Sequence, residues 1–226
     1  MTRFRDRTDA GLQLARLLGG YRDAPRTLVL ALPRGGVPVG AEVARALRLP
    51  LDVIVVRKLG LPEHEEYAVG AIAGGVRVVS EYAPGLPRTL AREQQELRRR
   101  EQAYRAGRPP LDLHDTAVLL VDDGLATGLS MRAAIMAARS LGAPNVVVAV
   151  PVGDATACAA LRKPPCAGMV SARYESSVDV AFANDVVCVN MPHPFVAVGC
   201  WYDVFDQTSD EEVRRCLSEA SRPGAE

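Results

Sequence analysis

The sequence predicts an α/β fold, a mostly parallel sheet flanked by helices, on three observations. First, Thr27–Leu32, Ala117–Val121 and Val146–Val152 are short apolar runs that suit strands buried on both faces. Second, two of these runs lead directly into glycine-bearing loops, Pro33-Arg34-Gly35-Gly36 and Asp122-Asp123-Gly124-Leu125-Ala126-Thr127-Gly128. Third, helical spacing of apolar residues follows each loop, so strands and helices alternate.

The elements follow in order. Residues 7–18 read as an opening helix with Leu12, Ala15, Leu17 and Leu18 on its apolar side. Thr27–Leu32 is the first strand. Val39, Val43, Ala46 and Leu47 then give helical spacing across 38–48. Leu51–Val56 is the next strand, ending in Arg57-Lys58. Pro62-Glu63-His64-Glu65-Glu66 is polar and breaks structure, after which Tyr67–Ala73 and Val76–Ser80 read as a hairpin across Gly74-Gly75. Residues 87–106 form a highly charged helix with Arg98-Arg99-Arg100, read as solvated and laced with Glu/Arg pairs in preference to a basic flank near pyrophosphate or a partner. Ala117–Val121 precedes a helix over 129–141, where Met131, Ala134, Ile135, Ala138 and Leu141 recur at helical spacing and Gly142 stops it. Val146–Val152, 167–171 and 186–190 read as strands, and 154–162 as a helix. Ser209-Asp-Glu-Glu212 has the form of a capping box opening a last helix to about residue 220. Residues 1–208 are expected to form one domain, followed by a C-terminal helix and tail over 209–226.

Composition excludes several classes. The 226 residues carry a formal net charge of +0, which gives no basic balance for nucleic acid. No run reaches eighteen apolar residues, so no membrane helix is expected. The first residues lack an apolar h-region, so no secretory signal is expected and the chain reads as cytoplasmic. Cysteines 158, 166, 188, 200 and 216 show no Cys-x-x-Cys and read as buried thiols. The three histidines lie apart from one another and from the cysteines, which argues against zinc.

The chemistry concentrates after the Ala117–Val121 strand. A strand, a glycine loop and a helix N-terminus together offer free N–H groups and a favourable dipole to an anion, most often a phosphate. Thr127 and Ser130 stand where N-cap hydroxyls belong. Adjacent Asp122 and Asp123 repel each other and call for a cation or a hydroxyl-rich ligand. A ribose phosphate, with Mg2+, fits both halves. Against this stands the ordinary alternative of a polar turn with a capped helix. Arg34-Gly35-Gly36 could likewise hold an anion by guanidinium and bare backbone, or be a tight turn. Lys58, at the end of its strand, points toward the ligand crevice of an open sheet or lies on the surface. Six of the eleven aromatics lie between 174 and 205 (Tyr174, Phe182, Phe195, Trp201, Tyr202 and Phe205), serving either as stacking planes or as core.

The stretch Val118–Ser130 resembles the signature of type I phosphoribosyltransferases: four apolar residues, two acids, two variable residues, then Ala126-Thr127-Gly128-Leu129-Ser130. Pro33-Arg-Gly-Gly36, Arg57-Lys58 and Val198-Gly199 with Trp201-Tyr202 are shared with bacterial look-alikes of unassigned acceptor, and the resemblance covers residues 3–213. It implies a single α/β domain with a small hood. Asp122 and Asp123 would hold the ribose hydroxyls and, directly or through water, Mg2+. Gly124, Ala126, Thr127, Gly128, Leu129 and Ser130 would wrap the 5′-phosphate, while Arg34, Gly35, Gly36 and Lys58 would meet pyrophosphate. Lys58, Asp122 and Asp123 are the catalytic candidates. Some relatives place an acid at the position of Ala126, so one candidate base is missing here. Glu63, His64 and Glu65 fall where relatives carry a closing loop, and acceptor recognition is expected near 190–205.

The implied reaction transfers phosphoribose from phosphoribosyl pyrophosphate to a nitrogen nucleophile, usually a nucleobase, and releases pyrophosphate. A homodimer is left open. One alternative is a regulator that binds phosphoribosyl pyrophosphate without turnover. Another is a receiver-type phosphorylation domain, disfavoured because no Asp ends the Val146–Val152 strand. The Walker pattern is absent, which argues against a nucleoside triphosphatase.

Overall fold

The computed structural model describes residues 3–61, 64–74, 76–79, 86–162 and 182–220. Six helices are described: α1 (Arg7–Leu17), α2 (Gly36–Leu47), α3 (Leu86–Arg105), α4 (Leu129–Ser140), α5 (Ala155–Arg162) and α6 (Asp210–Ala220). Eight strands accompany them: β1 (Thr27–Ala31), β2 (Leu51–Val53), β3 (Val56–Leu61), β4 (His64–Ala73), β5 (Val76–Val79), β6 (Ala117–Val121), β7 (Asn145–Val152) and β8 (Asp185–Asn190). The main sheet has the order β2-β1-β6-β7-β8, and every pair in it is parallel.

Both faces of that sheet are buried because its strands alternate apolar residues between two layers. On β6, Leu119 and Val121 face the layer containing Leu14, Val43, Leu47, Val213 and Leu217. Val118 and Leu120 face the layer of Met131, Ile135, Ala138 and Leu161. Thus α1, α2 and α6 cover one side, and α4 and α5 the other. No helix among the described residues is long and apolar enough to cross a membrane.

Three expectations change. The strand expected over Leu51–Val56 splits in two: β2 stays in the main sheet, whereas β3 leaves it and pairs antiparallel with β4. Lys58 therefore lies within β3, opposite Ala71, and does not end a main-sheet strand. The polar stretch read as breaking structure is also part strand. Pairing of Leu61 with His64 carries β4 back to residue 64, and β4 then pairs with β5 as the expected hairpin. Finally, α3 is not simply solvated, since Thr89, Glu93, Leu97 and Tyr104 form a buried stripe along it. The strand expected over 167–171, the tail after 220, and residues Glu63, Cys166 and Tyr174 lie outside the described residues, as do the side chains of His64 and Glu65. Cys158 is buried as expected, whereas Cys200 is exposed.

Candidate active site

The chain leaves β1 in one direction, through α2 to β2, and leaves β6 in the other, through α4 to β7. These neighbouring strands are therefore the switch point, where the C-terminal ends of an open sheet form a crevice. Ala31 is in register with Val121. The loops that follow are stitched together as well, with Leu32 N–H donating to Val121 O at 2.9 Å. Parallel pairing thus sets Pro33-Arg34-Gly35-Gly36 against Asp122-Asp123.

The first loop has no room for side chains where it meets the acids. A Cβ on Gly35 would lie 2.0 Å from Asp123 Oδ2, and one on Gly36 would lie 2.7 Å from Val121 O and 3.0 Å from Asp122 Oδ1. The second loop continues the sheet by one bridge, Leu125 with Gly153, before α4 begins. Gly128 precedes α4 at φ +77°, a conformation that favours glycine. The expectation that Thr127 or Ser130 caps this helix is not met: no side chain caps it. Its first N–H groups are left for a guest, since a helix cannot satisfy them internally. Ala126 and Thr127 are exposed, Gly128 is buried, and Gly124 and Leu129 are half-buried.

A cavity of about 380 Å³ opens beside this loop. Lys58, Asp122 and Ser130 line it, together with Leu32 and Pro33 at the start of the first loop. Besides Val56, the wall is made by Arg57 and by Arg92, Glu93 and Arg100. The sequence reading that prefers a solvated helix over a basic flank near pyrophosphate does not assign these last three to the site. Glu93 is buried and accepts from Arg57 Nε at 2.7 Å, and Arg92 Nε lies 3.1 Å from its other oxygen. Arg100 is paired with Glu96 at 2.7 Å, whereas Lys58 makes no ion pair with a described residue. The wall is therefore cationic overall and suits an anion.

Two predicted residues turn elsewhere. Arg34 lies 3.7 Å from Asp210 at the start of α6, a carboxylate that also accepts from the Tyr104 hydroxyl at 2.6 Å and lies 3.6 Å from Arg99. The Tyr104 hydrogen bond, with the arginines helping, holds Asp210 below the usual carboxylate range. Asp123 is held by Arg7, whose Nε and Nη2 donate to Oδ2 at 2.9 and 2.8 Å.

The acids differ electrostatically. Burial, then the neighbouring Asp123 charge, hold the Asp122 carboxyl well above its ordinary range, against the Asp123 N–H and the Lys58 charge. Burial also raises Asp123, but Arg7 opposes it. Asp122 is thus the poorly compensated carboxylate, and it faces the cavity. Its oxygens suit Mg2+, an ion commonly held by one or two carboxylates plus ligand phosphates rather than by an all-protein cage. No group of three or more His, Cys, Asp or Glu side chains that could hold a metal occurs among the described residues.

The aromatics near 201–205 are mostly packing. Tyr202 is buried among Phe4, Ala10 and Val152, and its ring lies 5.5 Å from Phe4 and 4.9 Å from Phe205. Phe182 is buried too. Met191, Val196, Val204 and Phe205 remain exposed.

Comparison with known proteins agrees with this architecture. The family model described as the phosphoribosyl transferase domain matches residues 12–187. A Mycobacterium tuberculosis protein provisionally named a phosphoribosyl transferase is 41% identical over 235 residues, covering 100% of this chain and 49% of that protein. The chain thus spans about half the length of the curated relatives it matches. The crystal structure of TT1426 from Thermus thermophilus is 39% identical, with a TM-score of 0.75 over 98% of this chain and 100% of that one. On the match across most of its length and on these relatives, the chain belongs to the phosphoribosyl transferase family.

Proposed function

We propose that this chain transfers phosphoribose from phosphoribosyl pyrophosphate to a nitrogen nucleophile, usually a nucleobase, releasing pyrophosphate. One observation carries the reading. Lys58, Asp122 and Ser130, which come from three separate elements, line a single cationic cavity at the switch point of a phosphoribosyl transferase fold.

The roles follow from chemistry and position. The uncapped start of α4, with Thr127 and Ser130, would take the 5′-phosphate through N–H and hydroxyl donors. Asp122 would accept from ribose hydroxyls and hold Mg2+, which when bound supplies charge neutralisation to the pyrophosphate oxygens. Lys58 and the Arg57–Arg92–Arg100 wall would neutralise the leaving pyrophosphate. Departure of that group leaves an oxocarbenium-like centre at the ribose, so the protein's task is chiefly positioning and charge stabilisation. The acceptor would approach from the side of Met191, Val196 and Val204.

The test is a calorimetric titration of phosphoribosyl pyrophosphate with and without Mg2+. Mg2+-dependent binding in the micromolar range supports the donor site and opens a screen of nucleobases for pyrophosphate release. Absence of binding in both conditions would leave only the fold.

A further inference from the structure

Residues outside the stretch matched by the family model converge on the second acid of the signature. Phe4 and Tyr202 form a parallel bridge, with Phe4 N–H donating to Trp201 O at 2.9 Å and Asp203 N–H to Phe4 O at 2.8 Å. Early and late segments of the chain are thereby stitched through their backbones. The Tyr202 hydroxyl then donates to Asp123 O at 2.6 Å. Arg7 lies 4.1 Å above the Phe205 ring and donates Nη1 to Asp206 O at 2.7 Å. Its remaining donors, Nε and Nη2, both reach Asp123 Oδ2. Both partners are largely withdrawn from water, at 12% and 16% side-chain exposure. The same oxygen lies directly over Gly35, where an added Cβ would also come within 3.3 Å of Arg7 Nη2. Asp123 is clamped between α1 and the first loop, while Asp122 lines the cavity.

We infer that the two signature acids divide the work: Asp122 alone faces the donor, and Asp123 acts through Arg7 as a brace that fixes the first loop beside it. Arg7 is then a positioning residue for donor binding, an assignment that rests on the phosphoribosyl pyrophosphate reading. The alternative arrangement makes a different prediction. Arg7 takes only Oδ2, so if Asp123 were itself a ribose ligand through its other oxygen, Asp123→Asn would weaken binding as severely as Asp122→Asn. A brace instead fails when either half is lost, because a withdrawn charge is left without its partner.

The experiment is a calorimetric titration of phosphoribosyl pyrophosphate with Mg2+ into the full chain and into Arg7→Ala, Arg7→Lys, Asp123→Asn, Asp122→Asn and the Arg7→Ala/Asp123→Asn pair, each checked by thermal melting. Arg7→Ala and Asp123→Asn should each weaken binding about tenfold, and the double variant no further, as expected for two halves of one contact. Arg7→Lys, which keeps the charge but not the fork, should recover part of the loss. Tighter binding by Arg7→Ala, or losses that add in the double variant, overturns the inference while leaving the function intact. If Arg7→Ala does not fold, Asp123→Asn decides the matter: a loss as severe as that of Asp122→Asn overturns the inference, and a clearly smaller loss upholds it. Failure of the wild-type chain to bind overturns the function, and the inference falls with it.

Discussion

Arg7 and Asp123 meet across 116 positions of chain, two guanidinium nitrogens on one carboxylate oxygen at 2.8 and 2.9 Å. The contact ties the first helix to the loop that carries the signature acids, and that oxygen also fills the space above Gly35. An added methyl at 35 has nowhere to go, because it would lie 2.0 Å from Oδ2 and 2.7 Å from Cγ. Gly35→Ala should therefore displace Asp123 from Arg7 and weaken donor binding about tenfold or more, since each ~1.4 kcal/mol of lost interaction is a factor of ten. Titration of phosphoribosyl pyrophosphate checks this, and an unchanged affinity would show that the loop relaxes freely.

Asp122 is a liability in the ligand-free protein. Burial first, and the Asp123 charge second, hold its carboxyl well above the ordinary range. A native state that binds this proton more tightly than the unfolded chain is favoured below the unfolded-state pKa of about 3.9, and loses that advantage as pH rises through the native value. Ionising this carboxyl therefore works against the fold. Asp122→Asn, which mimics the protonated form, should raise Tm at pH 7.5 by about 2–4 °C, the effect of ~1 kcal/mol in a domain of this size. The gain should vanish as pH falls toward 4, and donor binding should be lost at every pH. Melting curves of both proteins across that range decide it; a lower Tm for the variant at pH 7.5 would refute the account.

The main sheet was legible because its signals are local. Apolar runs bounded by glycine loops mark β1, β6 and β7, and helical spacing marks α2 and α4. The split between β2 and β3 was not legible, because Leu51–Val56 is one continuous apolar run and the switch of sheets is a tertiary choice. Of the site, the signature loop and Lys58 could be named from sequence, whereas Arg7 could not. Its pairing with Asp123 depends on how early and late segments of the chain meet. Glu93 left a usable trace: with Thr89, Leu97 and Tyr104 it falls on one helical stripe, and an acid on a buried stripe implies a cationic partner.

Thr127 is exposed and caps nothing, so its hydroxyl is available to a ligand at no structural cost. Thr127→Val keeps the shape and removes that donor. A hydrogen bond to a charged phosphate is worth roughly 1.5–3 kcal/mol, so affinity should fall at least about tenfold. The loss should be alike for phosphoribosyl pyrophosphate and ribose 5-phosphate, which share the 5′-phosphate, while Tm stays within about a degree. A defect confined to the pyrophosphate-bearing ligand would move Thr127 to the other end of the donor.

Glu93 holds the opposite wall of the cavity in place. Its carboxylate is nearly withdrawn from water and takes Arg57 at 2.6 and 2.7 Å, next to Lys58 in β3. The Arg57 side chain keeps 26% of its exposure, so water would compensate part of its charge if the partner were removed. That places the cost of Glu93→Ala at about 2–3 kcal/mol, a little under the ~3–5 kcal/mol of breaking a fully buried pair. In a domain of this size the melting temperature should drop by about 5–10 °C. Glu93→Gln, which can still accept from Arg57 through its carbonyl, should lose about half as much. A Glu93→Gln variant as stable as the wild type would mean that Glu93 serves as packing rather than as counter-charge. The graded loss instead makes Arg57 and Glu93 one device, a buried acid that orders a cation beside the donor cavity.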